Sequence, residues 1–280
     1  MAVEYRPGLP TRNDNVSHRH PLREFVLLMS ALAFAAAGVF WTLGLAVDAA
    51  VGHMSAGTEA AVEDAFRRAG PPMSPADPVR QAQLQRLADS LLACARRARP
   101  AQVDLAGDSN PNAIALPGGR IIVMSGLLEH VGSENGLAFV LAHEIAHLQH
   151  RDHLRAMGRG IVLVTIAAML GSTGPDVVGM LGPVNQAQLL HHSRERERAA
   201  DLAALDILAC RYGHAGGATE FFRALQRNER KAPARTAHYF DSHPAIDSRI
   251  ADIERAIRER GYGAGPLTPI ALPAAPASRH

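Results

Sequence analysis

The feature that most constrains this chain is a run of 23 residues without a charged side chain, Phe25–Val47. As an α-helix rising about 1.5 Å per residue, the run would extend roughly 34 Å, enough to cross a hydrocarbon core of about 30 Å. Phe40 and Trp41 lie toward its C-terminal end, where aromatic side chains commonly anchor a span at the membrane surface. The run therefore predicts one transmembrane helix over residues 25–47.

Two other structures can contain a run of this kind. A buried core helix is one, but 23 charge-free residues are long for such a helix. A cleaved signal peptide is the other, and its apolar region normally has only about 7–15 residues, which favours an uncleaved anchor. The sequence alone does not decide whether this segment is cleaved to release a soluble secreted protein. The mass of the mature N-terminus would distinguish the two outcomes.

The charges around the run predict its orientation. Four arginines precede it and four acidic residues follow it: Arg6, Arg12, Arg19, Arg23, and then Asp48, Glu59, Glu63, Asp64. Because positive residues stay on the cytoplasmic side, the N-terminus is predicted inside and the rest of the chain outside. The whole chain has 29 Lys and Arg against 27 Asp and Glu. This balance argues against a protein that binds nucleic acid through a strongly basic surface.

Composition divides the remaining chain into regions. We expect a cytoplasmic tail at 1–24, the span at 25–47, a linker at 48–78, a folded domain at 79–262 and a flexible Pro/Ala-rich tail at 263–280. Within the domain, leucines at helical spacing predict a helix over about 79–98. Short strands are predicted at 103–106, 114–116 and 121–123, with a hairpin at 112–124 and mostly helix from 134 onward. The predicted fold class is α+β and mostly helical, with a small β-sheet.

The segment His143–His147 reads HEIAH, an HExxH motif with an apolar N-terminal flank. On a helix, His143 and His147 are about 40° apart and one turn apart, so both imidazoles can bind one Zn²⁺. The Glu144 side chain then lies beside the metal, where it can take a proton from zinc-bound water. The motif predicts one zinc ion, two histidine ligands and a general base.

A catalytic zinc needs a third protein ligand, and three residues are candidates: His153, Glu195 and Glu197. Position 150 is His and not the Gly that would bend the helix, so a continuing helix carries His153 about 80° away from the direction of His143. We therefore expect His150 and His153 on the surface.

Glu197 is favoured as the third ligand because Asp201 follows it one helical turn later. Asp201 can accept the free N–H of a ligating histidine, whereas the position one turn after Glu195 is an alanine. The alternative is that the RERER run at 194–198 is only a solvated charged surface. His191 and His192 are not expected to be ligands.

These motifs, in their order, resemble the membrane-associated zinc metallopeptidases of the HtpX and CAAX-prenyl-protease family, metallopeptidase family 48. The matching segments are NAIALPGGRIIV at 112–123, GLL at 126–128, HEIAH at 143–147, SRERERAAD at 193–201, His243-Pro244 and Arg249-Ile250. The likeness covers roughly residues 79–262 and is greatest to the BepA-like bacterial envelope branch. HtpX itself has several spans and a cytosolic site, which a single predicted span does not suit.

The resemblance implies a gluzincin domain, in which a small sheet lies over the active-site helix and a second helix carries the third ligand. It also implies that an edge strand binds the substrate backbone, here at Asn112, Ala113, Ile114 and Ala115. His243 would lie near the metal and stabilise the oxyanion or occupy the open position of zinc. A histidine in a surface loop is the alternative.

A second apolar stretch, 160–190, contains Asp176 as its only charged residue. The proposed ligands on either side of it must lie on the same side of a membrane, so the stretch crosses twice or not at all. Two crossings need about 40 residues. We therefore expect a buried or membrane-facing flap over the cleft.

The function predicted from these observations is a membrane-anchored zinc metalloendopeptidase of the bacterial inner membrane, with its catalytic domain facing the periplasm. The resemblance implies polypeptide substrates, misfolded or unassembled envelope proteins, in envelope protein quality control. A zinc-bearing chaperone or scaffold with little proteolysis is the alternative. The two cysteines, Cys94 and Cys210, form either one disulfide or two buried thiols, and the sequence does not decide between them.

Overall fold

The computed structural model describes residues 21–69, 77–95, 100–116, 118–159, 193–229, 243 and 246–271. Its elements are α1 (Pro21–His53), α2 (Ala56–Ala69), α3 (Pro78–Leu92), β1 (Gln102–Ala106), β2 (Ala113–Leu116), β3 (Arg120–Met124), α4 (Ser125–Leu128), α5 (Glu134–His150), α6 (Arg194–Tyr212), α7 (Glu220–Glu229) and α8 (Ile246–Glu259). Residues 152–159 are also helical. The predicted class, mostly helical with a small sheet, is confirmed.

Helix α1 contains the predicted span 25–47 within its 33 residues. Its most apolar 18-residue stretch has a mean hydropathy of 2.1, and none of that stretch is buried. By length and composition this helix is able to cross a membrane. The chain divides into two compact units, Met1–Ala46 and Val47–His280, so the last residues of α1 belong to the second unit.

The region expected as a linker, 48–78, is helical over much of its described part. Helix α1 continues to His53, and α2 begins where the Ser55 hydroxyl accepts a hydrogen bond from the Thr58 N–H at 3.1 Å. Val51 and Glu59 are buried in the second unit. Their partner is Arg151, which is 100 residues beyond Val51, so a pattern local to 48–78 did not reveal this packing.

The hairpin predicted at 112–124 is present as β2 and β3, which pair antiparallel. Gly118 and Gly119 form its turn with positive φ angles of 96° and 69°. A Cβ on Gly119 would lie 2.9 Å from the Pro100 carbonyl oxygen, so glycine is needed there for space as well as for φ. Strand β1 pairs parallel with β3, which gives the order β1-β3-β2.

Helix α3 covers the outer edge of β1. It begins at Asp77, whose carboxylate accepts from the N–H groups of Val79 and Arg80. The Gln85 and Gln81 side chains accept hydrogen bonds from the N–H groups of Val103 and Leu105, at 2.8 and 3.1 Å. Covering one edge of a sheet satisfies its backbone groups and prevents further pairing. Strand β2 forms the other edge, and no strand of the described ranges pairs with its outer side.

The core of the second unit is built around α5, which is buried over almost its whole length. Ser133 begins the helix by accepting the Gly136 N–H at 3.0 Å. Helix α5 packs against the sheet on one side and against α6 on the other. A disulfide between Cys94 and Cys210, with Cα atoms 5.8 Å apart, joins the end of α3 to the end of α6. The structure therefore contains the disulfide, which is one of the two states that the sequence left open.

The described part of the expected flexible tail, residues 263–271, makes backbone contacts with the start of α5. The Glu134 N–H donates to the Thr268 carbonyl at 2.8 Å, and the Thr268 N–H donates to the Asn135 side chain at 2.7 Å. Ser133 and Pro269 form an antiparallel bridge. This stretch is held through its backbone at the start of α5, and its Pro- and Ala-rich composition carries no sign of such bonds.

Candidate metal centre

Helix α5 brings His143 and His147 together, as the HExxH spacing predicts. Their Nε2 atoms are 3.0 Å apart and their rings are nearly perpendicular, with centroids 4.5 Å apart. Both side chains are buried, with relative exposures of 2% and 0%. The helix therefore presents two imidazole nitrogens to one point inside the second unit.

Glu197 on α6 faces the same point. Its carboxylate oxygens lie 3.5 Å from His143 Nε2 and 3.3 Å from His147 Nε2. Two ligands at about 2.0–2.1 Å from a tetrahedral zinc ion lie about 3.3 Å from each other. The spacing of these three donors fits one zinc ion.

His243 adds a fourth donor to the cluster. Its Nδ1 lies 3.1 Å from both carboxylate oxygens of Glu197, and its Nε2 lies 3.7 Å from Glu144 Oε1. The donor atoms of His143, His147, Glu197 and His243 all lie within 4.8 Å of one another, and all four residues are buried. Imidazole nitrogen and carboxylate oxygen are ligands that zinc prefers. The donor set fits a zinc ion with His243 beside it.

Asp201 and Arg249 support the cluster from the α6 side. Asp201 Oδ1 lies 3.0 Å from His143 Nδ1, which leaves Nε2 of that ring directed at the cluster. Arg249 bridges the two acids, with 2.7 Å to Glu197 Oε2 and 2.7 Å to Asp201 Oδ1. Its guanidinium also lies over the Phe222 ring, 4.5 Å from the centroid. Arg249 belongs to the segments that carry the family resemblance, and no role was predicted for it from the sequence.

Asp152 holds the other histidine in the same way, and sequence reasoning missed it. Its Oδ2 lies 2.9 Å from His147 Nδ1, and its side chain is buried. The chain reaches this position because Arg151, with a φ of 58°, ends α5 in the left-handed conformation. The only signal in the sequence is an acidic residue five positions after His147.

The turn at Arg151 also corrects the argument about His153. Because residue 150 is not glycine, a continuing helix was expected, but the non-glycine residue Arg151 makes the turn. The Arg151 side chain donates to the Val51 carbonyl at 2.8 Å and pairs with Glu59, and these contacts oppose the cost of its left-handed backbone. His153 is consequently buried, with 1% exposure, and not on the surface as expected. It does not join the donor cluster.

The electrostatics of the cluster favour a bound cation. Burial lowers the pKa of His147, but hydrogen bonds to Asp152 and Glu197 outweigh it and raise that pKa to about 10. Burial and the His147 and Arg249 charges also act against His143, yet Asp201 and Glu197 raise its pKa. Burial opposes ionisation of Glu197, while the His243 and Arg249 charges hold its pKa well below the ordinary value. The raised histidine pKa values and the lowered Glu197 pKa show that this buried site favours positive charge, which a divalent ion would supply in place of the imidazole protons.

Glu144 is buried beside the cluster and contacts the edge strand. Its Oε2 accepts a hydrogen bond from the Ala115 N–H at 2.8 Å. The β2 strand at Ala115 therefore lies beside α5. Asn112, at the start of β2, is buried, and its carbonyl accepts from the Met124 N–H at 3.0 Å. The structure thus places Ala115, one of the four predicted edge-strand residues 112–115, next to Glu144.

The remaining candidates lie apart from the cluster or outside the described residues. Glu195 is exposed, and His150 is partly exposed. The expected flap at 160–190 and the two histidines at 191 and 192 fall outside the described residues.

Comparison with known proteins identifies relatives of this chain. A model of Peptidase family M48 matches residues 78–257. A putative beta-barrel assembly-enhancing protease of Vibrio cholerae is 30% identical over 197 residues, which cover 65% of this chain and 40% of that protein. The mitochondrial metalloendopeptidase OMA1 of Schizosaccharomyces pombe is 31% identical over 156 residues, which cover 54% and 45%. The chain spans less than half the length of these two relatives.

The matched region contains α3, the sheet, the HExxH helix, Glu197 and most of α8. It covers 180 of the 280 residues, and it agrees with the roughly 79–262 over which the motifs resemble this family. The resemblance inferred from the motifs is confirmed: the chain belongs to peptidase family M48.

Proposed function

We propose that this chain is a membrane-anchored zinc metalloendopeptidase. The observation that carries the proposal is the convergence of His143, His147 and Glu197 on one point, with the Glu144 carboxylate beside it. These three residues would hold the ion. A zinc ion bound there would polarise the peptide carbonyl and acidify the attacking water. The family membership supports hydrolysis of peptide bonds as the reaction.

In this proposal Glu144 is the general base. It accepts a proton from the attacking water and delivers it to the leaving amine, so peptide hydrolysis balances without another acid. His243 Nε2 lies 3.7 Å from Glu144 Oε1, close enough to donate to the oxyanion formed next to that carboxylate. Asp201 and Asp152 fix the rings of His143 and His147 and touch no substrate.

We further propose that the substrate backbone pairs with β2. An extended peptide added to this edge would lie along Asn112, Ala113, Ile114 and Ala115, next to Glu144. Main-chain pairing of this kind selects an extended conformation more than a particular sequence. It therefore suits unfolded polypeptides as substrates.

The proposed setting is the bacterial inner membrane with the second unit in the periplasm. Helix α1 supplies the anchor and the contact with lipid, and the arginines before it set the orientation. The disulfide between Cys94 and Cys210 supports an oxidising compartment. Relatives named beta-barrel assembly-enhancing protease favour misfolded or unassembled envelope proteins as substrates.

Replacing Glu144 by glutamine tests the proposal. The Glu144→Gln variant should retain zinc and lose cleavage of an unfolded polypeptide by about 10²–10⁴-fold, because it removes the base and no ligand. The matched control is Glu195→Gln, the same chemical change at an exposed glutamate, which should cleave like the unaltered protein. His243→Ala should keep zinc and change the rate.

Cleavage at the normal rate by zinc-loaded Glu144→Gln would refute the assignment of the base. If the unaltered, zinc-loaded protein binds unfolded polypeptides and does not cleave them, the chaperone or scaffold alternative replaces the peptidase.

A further inference from the structure

A group of charged residues surrounds the C-terminal end of α1. We call it the Asp48 cluster, and its members are Asp48, Asp152, Arg155, Arg159 and Arg196. The carboxylate of Asp48 lies 2.6 Å from Arg159 Nη2, 2.9 Å from Arg196 Nη2 and 3.7 Å from Arg155 Nε. All five residues belong to the second unit. The Asp48 carboxylate thus contacts three guanidinium groups.

Two of the three arginines also reach the acid that holds the proposed zinc ligand. Arg196 Nε and Arg155 Nη1 each lie 3.6 Å from Asp152 Oδ1. The other oxygen of Asp152, Oδ2, lies 2.9 Å from His147 Nδ1. Oδ1 of Asp152 therefore faces the two arginines, and Oδ2 faces His147. Arg159 contacts Asp48 and has no ion pair with Asp152 among the described residues.

The arrangement in which one Asp152 oxygen faces the arginines and the other faces His147 depends on Asp48. Its carboxylate draws Arg196 to 2.9 Å, while the same arginine remains 3.6 Å from Asp152. Without Asp48, Asp152 would be the one carboxylate of the described residues with which Arg155 and Arg196 pair. The buried Asp152 carboxylate would turn toward them, and its bond to His147 would weaken. Contacts between a carboxylate and a ligating histidine orient the ring and strengthen metal binding.

We propose that Asp48 is a positioning residue for the metal centre, acting on His147 through Arg196, Arg155 and Asp152. The C-terminal end of α1 would then be part of the structure that holds the zinc ion. The inference rests on the proposed ligand set, in which His147 binds the metal.

The test uses the full chain in detergent and measures zinc affinity by competition with a chelator. Asp48→Asn should weaken zinc binding by about 10-fold, within the range seen when a partner of a ligating histidine is lost. With Co²⁺ in place of zinc, its visible absorption bands should shift, since they report ligand geometry. Arg159→Gln is the matched control, because it removes an ion pair of Asp48 and leaves Asp152 untouched. It should keep the affinity and the spectrum.

A double variant separates positioning from simple packing. If Asp48 acts through Asp152, Asp48→Asn should cost little further affinity in an Asp152→Asn background. Asp48→Glu should restore part of the affinity, and it covers the case in which Asp48→Asn fails to fold. Unchanged zinc affinity in Asp48→Asn, or fully additive losses in the double variant, would overturn the proposal. If His147→Ala still binds zinc tightly, the proposed ligand set is wrong. That result is distinct from the two outcomes that would overturn the role of Asp48.

Discussion

Single residues at the metal centre each contact more than one partner. Asp201 and Asp152 each fix the Nδ1 atom of one histidine, so both Nε2 atoms face the same point. Asp201 also binds Arg249, and Asp152 also pairs with Arg196. Orientation of the proposed ligands thus depends on buried charged residues that are not themselves proposed ligands.

The assignment of Glu197 makes a residue-level prediction. Glu197→Ala should lower the zinc content sharply, because two histidines alone leave zinc short of its usual three protein ligands. Glu195→Ala is the control two positions away, where the side chain is exposed. Metal analysis of the purified variants measures both. Equal zinc content in the two would contradict the choice of Glu197.

Arg249 makes a second prediction at this scale. Its side chain is 5% exposed and pairs with Glu197 and Asp201, so Arg249→Met leaves two buried acids without their shared cation. Removing one partner of a buried ion pair costs about 3–5 kcal/mol of unfolding free energy. Arg255→Met, on the same helix, is the control. That side chain is 49% exposed, and surface pairs contribute about 0–1 kcal/mol.

Urea denaturation of both variants in detergent, each with zinc present, measures the difference. A loss in Arg249→Met no larger than in Arg255→Met would show that the guanidinium does not balance the buried acids.

Spacing rules related residues that are close in the sequence, the distant residue His243 came only from the resemblance, and other distant partners were missed. HExxH lies within five residues of one helix, and Glu197 and Asp201 are one turn apart, so periodicity alone relates them. Arg249 contacts Asp201 across 48 residues, and no spacing rule connects such positions. Asp152 is close in sequence, but its approach to His147 needs a left-handed turn at Arg151, for which the sequence provides no glycine.

At the scale of elements, local patterns predicted the β2–β3 hairpin through its alternating strands and its glycine turn. The parallel pairing of β1 and the backbone bonds of 263–271 were beyond local patterns. The β1 pairing and the 263–271 bonds each require contact between segments that are far apart in the sequence. The consequence for the site is that α3 covers β1 and leaves β2 as the edge beside Glu144.

The disulfide gives a prediction for the pairing of α3 with α6. Replacing both Cys94 and Cys210 by serine should lower the melting temperature, corresponding to about 2–5 kcal/mol of stability. Zinc content should not change, because Cys210 lies about 20 Å along α6 from Glu197, at 1.5 Å per residue. Differential scanning calorimetry and metal analysis check the two parts. Two alkylatable thiols in the unreduced mature protein would show that the bond is not formed.

For the whole molecule, the long apolar run and the metal site constrain each other. His143 and His147 on α5 meet Glu197 on α6 at one point, so α5 and α6 lie on the same side of any membrane. Within the described ranges, α1 is the only helix long and apolar enough to span. Its end belongs to the unit that holds the metal site. Orientation of α1 therefore decides the compartment in which the proposed peptidase works.

Reporter fusions test that orientation. Alkaline phosphatase, which is active only where disulfides form, should be active when fused after residue 271. A fluorescent protein that folds only in the cytoplasm should stay dark at the same site. Fusions that replace the chain after residue 24 should give the reverse, since the arginines there hold this end inside. Fluorescence from the fusion after 271 would place the metal site in the cytoplasm. It would also remove the oxidising compartment on which the Cys94–Cys210 bond depends. The reporter fusions and the thiol alkylation are therefore two separate measurements that test the same membrane orientation.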